Sequence, residues 1–405
     1  MSKWQEIRFE DLYEIPSRNG LTRPSSVRGE GYNFINMGEL FTNNRIYDME
    51  TELVKLNEKE KKDSTLIEGD LLFARQSLVY EGAGKCSIVM NLNNITSFES
   101  HLIRVRLNKS ISEPLFYYYY FSLPYNAVKT IVQQCAQAGI RGTDLSKIRV
   151  PYPDLPTQKR IADVLSAYDE LIENNNKRIA LLEKAAQELY KEWFVRFRFP
   201  SHEKAKFVNG LPEGWEVKRI FDYGIVETGK TPSTEVAENY GEDIMFIKTP
   251  DMHGNIFVIQ TSEYLSERGH KTQPKKLLPV DSIMVSCIGT GGVVSINAEP
   301  AHTNQQINSI ILNDTTQLEW LYFTCKSLKS TIELFGATGA TMTNLSKGKF
   351  EKLKVIDPGS ELIIKYHNKT ENIFKKIKLL LNANKNLIKQ RDLLLPRLMS
   401  GKLEV

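Results

Sequence analysis

Cysteine is scarce. The four present in 405 residues, Cys86, Cys135, Cys287 and Cys325, lie far apart, with no CxxC pair and no histidine at a matching spacing. Their number and placement argue against a disulfide frame and a zinc site, and all four are expected as small buried side chains. The six histidines, His101, His202, His253, His270, His302 and His367, also lack metal-ligand spacing, so no metal is expected. No apolar run approaches a membrane span, and the opening MSKWQEIRFEDLYEI has no signal-peptide core, which points to a cytoplasmic protein. An excess of one charge is missing too: a net charge of +4 is compatible with nucleic acid but falls short of a dedicated phosphate binder. With 41% hydrophobic and 25% charged residues, the chain has the make-up of folded protein, and its length allows two or three domains.

Catalytic signatures are equally lacking. GAGKC, Gly82 to Cys86, resembles the end of a phosphate loop, but Val79 stands where the first glycine belongs and Cys86 where Ser or Thr would hold magnesium. It reads as a turn between strands. GTGGV, Gly289 to Val293, has no strand-glycine-helix context. No Ser, His and Asp set converges, and the Asn/Asp-Pro-Pro-aromatic tetrapeptide with which adenine methyltransferases hold their base does not occur.

What is present is a repeat. Trp4-Gln5-Glu6-Ile7-Arg8 is echoed by Trp215-Glu216-Val217-Lys218-Arg219, Asp70 before LLFARQS by Asp281 before SIMVSCI, and DLSK at 144–147 by NLSK at 344–347. The offsets, 215 − 4 = 211, 281 − 70 = 211 and 344 − 144 = 200, make the halves nearly colinear. A unit this long is no solenoid repeat. Two copies imply a pseudo-symmetric molecule that binds something with two similar halves.

Each copy ends in a helical stretch. From Pro156 to Phe197, Ile161, Leu165, Tyr168, Ile172, Asn175, Ile179, Leu182, Ala186, Leu189 and Trp193 alternate steps of four and three, a heptad seam. Such a helix would be roughly 60 Å long. The second, about Glu361 to Leu395, carries Ile373, Ile377, Leu380, Asn384, Leu387 and Leu394, with Pro396 expected to end it. Asn175 and Asn384 either fix register as buried amides or are polar positions at the seam edge. The natural partner for each stripe is its duplicate, packed antiparallel, which would set two globular parts at opposite ends of a rod. Four segments are therefore expected: residues 1–152, a spacer helix over 153–200, residues 201–356, and a C-terminal spacer helix over 357–405.

Within the globular parts, 71–74, 86–90, 102–107, 244–247, 283–288, 293–296 and 310–312 read as strands. Residues 114–122, 125–137 and 318–334 read as helices. The aromatic run Phe116 to Phe121 covers every face of its helix and is expected to be mostly core. Several loops carry side chains that suit base edges. In the first copy these are Asn43, Asn44 and Arg45, Arg75 and Gln76, and Arg141 and Thr143; in the second, Lys230 and Thr231, Lys248, Thr249 and His253, Asn304, Gln305 and Gln306, and Thr341, Thr343 and Asn344. Any one of them alone could be an ordinary polar loop capping a strand or helix.

The chain resembles the specificity subunits of type I restriction-modification systems. The resemblance rests on GDLLFARQS (Gly69 to Ser77), GKTPS (Gly229 to Ser233), VDSIMVSCIGTGG (Val280 to Gly292) and TNQQINSI (Thr303 to Ile310). It rests further on DLSKIRVPYPDLPTQKRIADVL (Asp144 to Leu165), LIENNNKRIALLEKAAQELYKEWF (Leu171 to Phe194) and RDLLLPRLMSGKL (Arg391 to Leu403). It covers essentially the whole length. One departure is that Gly359 to Lys378 lacks the PxQxxIA opening seen at Pro156. The resemblance implies a mixed α and β fold: two globular α+β DNA target recognition domains joined by a pair of long antiparallel, coiled-coil-like helices, with an internal pseudo-twofold repeat. It implies a prokaryotic, cytoplasmic, non-catalytic subunit that binds double-stranded DNA, each recognition domain reading half of a split site while the helices set the gap. Two methyltransferase subunits with S-adenosylmethionine, and two restriction-translocase subunits with ATP and Mg, would be the partners. The competing classes are an enzyme with a hidden nuclease or methyltransferase centre, and a scaffold that touches no DNA.

Overall fold

Strand pairing repeats itself in a computed structural model that describes residues 4–134, 137–336 and 343–405. Two units emerge, Met1–Ile172 with Leu387–Val405, and Glu173–Asn386. In the first, strands Tyr13–Asn19 (β1), Arg45–Ile46 (β2), Leu71–Ala74 (β3), Cys86–Val89 (β4) and Leu102–Leu107 (β5) form a sheet in the order β1-β5-β3-β4-β2. In the second, Gly224–Thr228 (β6), Phe257–Val258 (β7), Ile283–Ser286 (β8), Val294–Asn297 (β9) and Ile307–Leu312 (β10) take the order β6-β10-β8-β9-β7. The two orders are identical. Both β3 and β8 are central and buried on both faces, which is why they read as unbroken apolar runs.

The first unit packs its aromatic helix, Pro114–Ser122, on this sheet. Phe121 lies 5.0 Å from Phe73 and 4.9 Å from Phe9, edge to face. Of the aromatic run only Tyr120 is less than fully buried, as expected of core. The stretch from Tyr125 is not the expected helix. Asn126 Oδ1 accepts from Val128 N and caps a 3-10 turn over Ala127–Ile131, after which Gln133–Gln134 is a strand. The β-branched Val128, Thr130, Ile131 and Val132 favour that outcome over a helix. In the second unit the helix expected over 318–334 is broken at Leu328 into Leu318–Ser327 and Lys329–Gly336.

The first long helix, Leu155–Tyr190, ends in a π turn over Lys191–Val195, after which Phe197 takes a left-handed φ of 58°. Its start explains the PxQ signature. Gln158 is fully buried, with Oε1 accepting from Glu113 N and Nε2 donating to Pro153 O, so it ties the helix to the head of the aromatic helix. The second, Ser360–Met399, has Ile363 at the matching place, since both helices run with an offset of 360 − 155 = 205. Pro396 does not stop it: the helix runs on to Met399, because Leu398 and Met399 are buried in the first unit's core and hold the last turn.

In the second unit the helical segments run antiparallel, Tyr366 Oη donating to Ala186 O and Asn175 to Asn384. They do so in the first as well, with Arg391 on Asp169. The seam residues follow. Ile161 and Leu165 are buried in the first unit, while Ile179, Asn175, Ile377, Leu380 and Asn384 are buried in the second. Ile172, Leu182, Leu189 and Leu387 are half-buried. Cys86, Cys287 and Cys325 are buried; Cys135 falls outside the described residues.

Two of the three sequence echoes are out of structural register. The Trp4 echo holds, since Arg8 pairs with Arg149 and Arg219 with Lys354. These pairs give 219 − 8 = 211 at one strand and 354 − 149 = 205 at the other. DLSK and NLSK, offset by 200, therefore lie five residues apart in the fold: Asp144 is helical, Asn344 a strand residue. Likewise Asp281, with φ 63°, matches Gly69, with φ 92°, rather than Asp70, which forms an ion pair with Arg106.

Candidate nucleic-acid interface

In the second unit, loops far apart in sequence are stitched to one turn. The strand Ile244–Ile247 runs parallel to Ala301–Thr303, pairing Ile247 with Thr303, and Asn304 N donates to Ile247 O at 3.2 Å. This brings Lys248 and Thr249, which follow the first strand, beside Asn304, Gln305 and Gln306, which follow the second. Gly229 N and Lys230 N donate to Ile307 O and Thr303 O at 3.1 and 2.9 Å. That approach needs glycine: a Cβ on Gly229 would stand 2.2 Å from Asn304 O. On the other side Cys287 N donates to Gln306 O at 2.8 Å, and Ile288–Gly289 pairs with Thr343–Asn344.

Side chains complete the cluster. Thr231 Oγ1 donates to Gln305 Oε1 at 2.6 Å, and Asn304 Nδ2 donates to Gln306 Oε1 at 3.1 Å. Lys230, Gln305 and Asn344 are exposed; Thr231, Lys248, Asn304, Gln306 and Thr343 are half-buried, and Thr249 is buried. Lys248 Nζ is paired with Glu263, so its charge is already engaged. These nine polar side chains thus gather on loops beside a buried strand end. His253 is exposed at the far end of the short helix Thr249–Met252, away from that turn, and Thr341 falls outside the described residues. Beneath the cluster His302 is fully buried, its Nε2 3.0 Å from His270 Nδ1; burial, and then His270, push its pKa down to about 4.

The first unit repeats the stitching. Gly20 N and Leu21 N donate to Leu102 O and Phe98 O at 3.2 and 2.8 Å, Ile35 pairs with Phe98, and Arg75 N donates to His101 O at 2.8 Å. Ile140 N donates to Arg75 O, and Gln76 pairs with Gly139, so Arg75, Gln76 and Arg141 meet at one place, with Thr143 in the short helix that Arg141 caps. Arg141 and Thr143 are exposed, Arg75 and Gln76 half-buried. Asn43, Asn44 and Arg45 do not join them. Asn43 Nδ2 donates to Glu39 O, and Asn44 lines a cleft of about 940 Å³ with Tyr119, Asp169 and Arg391. Arg45 is buried, its guanidinium over the Tyr47 ring and 3.8 Å from Glu170.

The GAGKC segment leads into strand β4, not a helix, and Lys85 Nζ donates to Phe41 O at 2.6 Å, so this backbone offers no helix N-terminus to a phosphate. Among the described residues no group of three or more His, Cys, Asp or Glu could hold a metal ion. No helix among them is long and apolar enough to cross a membrane. Sequence reading did not bring His101 to this place; the strand offset of the fold, 306 − 101 = 205, puts it where Gln306 stands.

Two copies of one sheet, each with a polar loop cluster at the same strand ends and each flanked by long helices, define a duplicated recognition protein. The sequence profile of the type I restriction modification DNA specificity domain matches residues 1–184 and 212–391, and the chain belongs to that family, as a specificity subunit. It is similar to the type I restriction enzyme HindI specificity subunit of Haemophilus influenzae, 32% identical over the full length of both chains. It is also similar to the MjaIX specificity subunit of Methanocaldococcus jannaschii, 30% identical over 73% of this chain and 70% of that one. The crystal structure of a type I S subunit from M. genitalium shares the fold with a TM-score of 0.61, covering 98% of this chain and 96% of that one at 14% identity.

Proposed function

We propose that each unit reads one half of a bipartite site in duplex DNA, through the loop clusters at its strand ends. The observation that carries this is the recurrence: the same backbone bonds gather the same loops twice, around Gln306 and around His101. Arg75, Arg141 and Lys230 suit guanine or phosphate, and Gln76, Asn304, Gln305 and Gln306 suit adenine. The remaining sequence candidates, Asn43 and Asn44 among them, stay in the proposal as outer contacts, whereas Arg45, buried against Tyr47 and Glu170, supports the fold instead. The domains that do the reading are the parts expected at 1–152 and 201–356, with the helical segments 153–200 and 357–405 as spacers.

In this reading the helices set the spacing of the half-sites, about one helical turn of DNA centre to centre, near 10 base pairs. They also dock two methyltransferase subunits. Leu171 and Leu393 in the first unit, and Leu181 and Leu379 in the second, are exposed apolar side chains on the helices and support such docking. The chain does no chemistry itself. S-adenosylmethionine belongs to the methyltransferases, which flip the target adenine, and ATP and Mg to two restriction-translocase subunits. The complex works in the cytoplasm.

The test is to map methylated adenines in DNA from cells carrying this chain with its methyltransferase. The expected motif is split, with an unread gap. Inserting one helical turn, about four residues, into the long helices should lengthen the gap and leave the bases unchanged; an unchanged gap defeats the spacer role. Methylation or cleavage by the purified chain alone, given S-adenosylmethionine and magnesium, would defeat the non-catalytic reading.

A further inference from the structure

Resting on that reading, we propose that His101 makes a base contact that specifies one position of the half-site read by the first unit. Four backbone relationships put His101 where Gln306 stands in the second unit. Arg75 N donates to His101 O as Cys287 N donates to Gln306 O, both at 2.8 Å. Gly20 and Leu21 grip the preceding strand as Gly229 and Lys230 do. The parallel pairs Ile35–Phe98 and Ile247–Thr303 lie at the start of the two turns. The interval from strand to turn is the same, Phe98 to His101 and Thr303 to Gln306.

The turn in the first unit is built to present this one side chain. Glu99 is mostly buried, one carboxylate oxygen accepting from Met37 N and the other 3.5 Å from His101 Nδ1. The imidazole itself has 52% of its side chain exposed. A ring steered at Nδ1 by a fixed carboxylate offers Nε2 to an outside group, and a base edge in the groove supplies donors and acceptors for it. Arg75 is joined to His101 through the backbone and is followed by Gln76, so the same turn carries a histidine, an arginine and an amide. In the second unit the converging set is amides, hydroxyls and lysines. The two half-sites should therefore differ in sequence, as the halves of an asymmetric site do.

The experiment uses the full chain assembled with its methyltransferase subunits and maps methylated motifs for His101→Ala, His101→Gln and Gln305→Ala. Expected for both His101 variants is discrimination lost at a single position of one half-site, by roughly 5- to 100-fold, with the other half and the gap unchanged. Gln305→Ala should relax the other half instead. A merely structural role would lower methylation evenly and leave the motif intact, so an unchanged motif in both His101 variants overturns the proposal, whatever the rate. If His101 variants leave the motif alone while Gln305→Ala alters it, only the His101 assignment falls; if none alters it and duplex DNA is not shifted in a salt-dependent way, the DNA-recognition reading falls with it.

Discussion

Asn175 Nδ2 donates to Asn384 Oδ1 at 2.9 Å, and Asn384 Nδ2 in turn donates to Asn176 Oδ1 at 2.8 Å, with Asn175 and Asn384 both buried in the helix seam. A buried amide pair costs stability against leucine but permits only the register in which the two meet. Asn175→Ala should therefore destabilise by about 1–2 kcal/mol, because the Asn384 amide loses a buried partner. The double replacement by leucine should be neutral or stabilising in urea unfolding. If the single and double changes are equally costly, the pair does not act as a unit.

Asp169 is the hub of a second lock. It accepts from Tyr119 Oη at 2.6 Å and from Arg391 at 2.5 Å. Burial, and then Asp169, push the Tyr119 hydroxyl well above its ordinary range. Burial works against the charge on Arg391, and the Asp169 contact outweighs it. Asp169→Ala should cost about 2–3 kcal/mol, stranding the Tyr119 hydroxyl and leaving Arg391 with Asp392 alone. Adding Arg391→Leu and Tyr119→Phe should recover much of that in thermal unfolding. The second unit already uses the apolar alternative: Phe374, 205 residues after Asp169, packs on Tyr322 and Phe323 at 5.8 and 6.0 Å.

Gly229→Ala and Gly20→Ala should have matching effects on different half-sites. The added methyl would meet Asn304 O at 2.2 Å in one unit and Phe98 O at 2.1 Å in the other. Overpacking against backbone should cost about 1–3 kcal/mol and shift the turn. The check is affinity for DNA altered in one half-site at a time: Gly229→Ala should lose sensitivity to one half and Gly20→Ala to the other.

Acid should weaken the second unit through His302. Its pKa in the fold is about 4 against an ordinary 6.5, so between those values the unfolded chain binds the extra proton. Stability is then full above pH 6.5 and falls as pH drops toward 4, by about 3 kcal/mol in total. His302→Gln should flatten that part of the pH profile in urea unfolding at pH 7 and pH 5. An unchanged slope would show that the burial of His302 carries no linkage.

The helices and central strands were legible because their periodicity is local: the heptad seam and the runs at 71–74 and 102–107 depend on near neighbours. The register of the repeat was not. DLSK and NLSK match as letters, yet the strands on either side of them, 102–107 with 307–312 and Arg149 with Lys354, both keep an offset of 205, so the letter match lies five residues out of register. The loop clusters were half legible. Residue type suggested Asn304 to Gln306 and Arg75, but parallel pairing of distant strands decides which loops meet, and it left Asn43 to Arg45 elsewhere while bringing in His101.

Leu395, Leu398 and Met399 fill the hydrophobic interior of the first unit, and Arg391 closes on its Asp169. During synthesis, then, the portion made earliest waits longest. Residues 173–386 can condense as soon as they leave the ribosome, whereas the amino-terminal portion has an open interior until residues 387–405 arrive. A message truncated near codon 386 should yield one finished half and one sticky, protease-sensitive half.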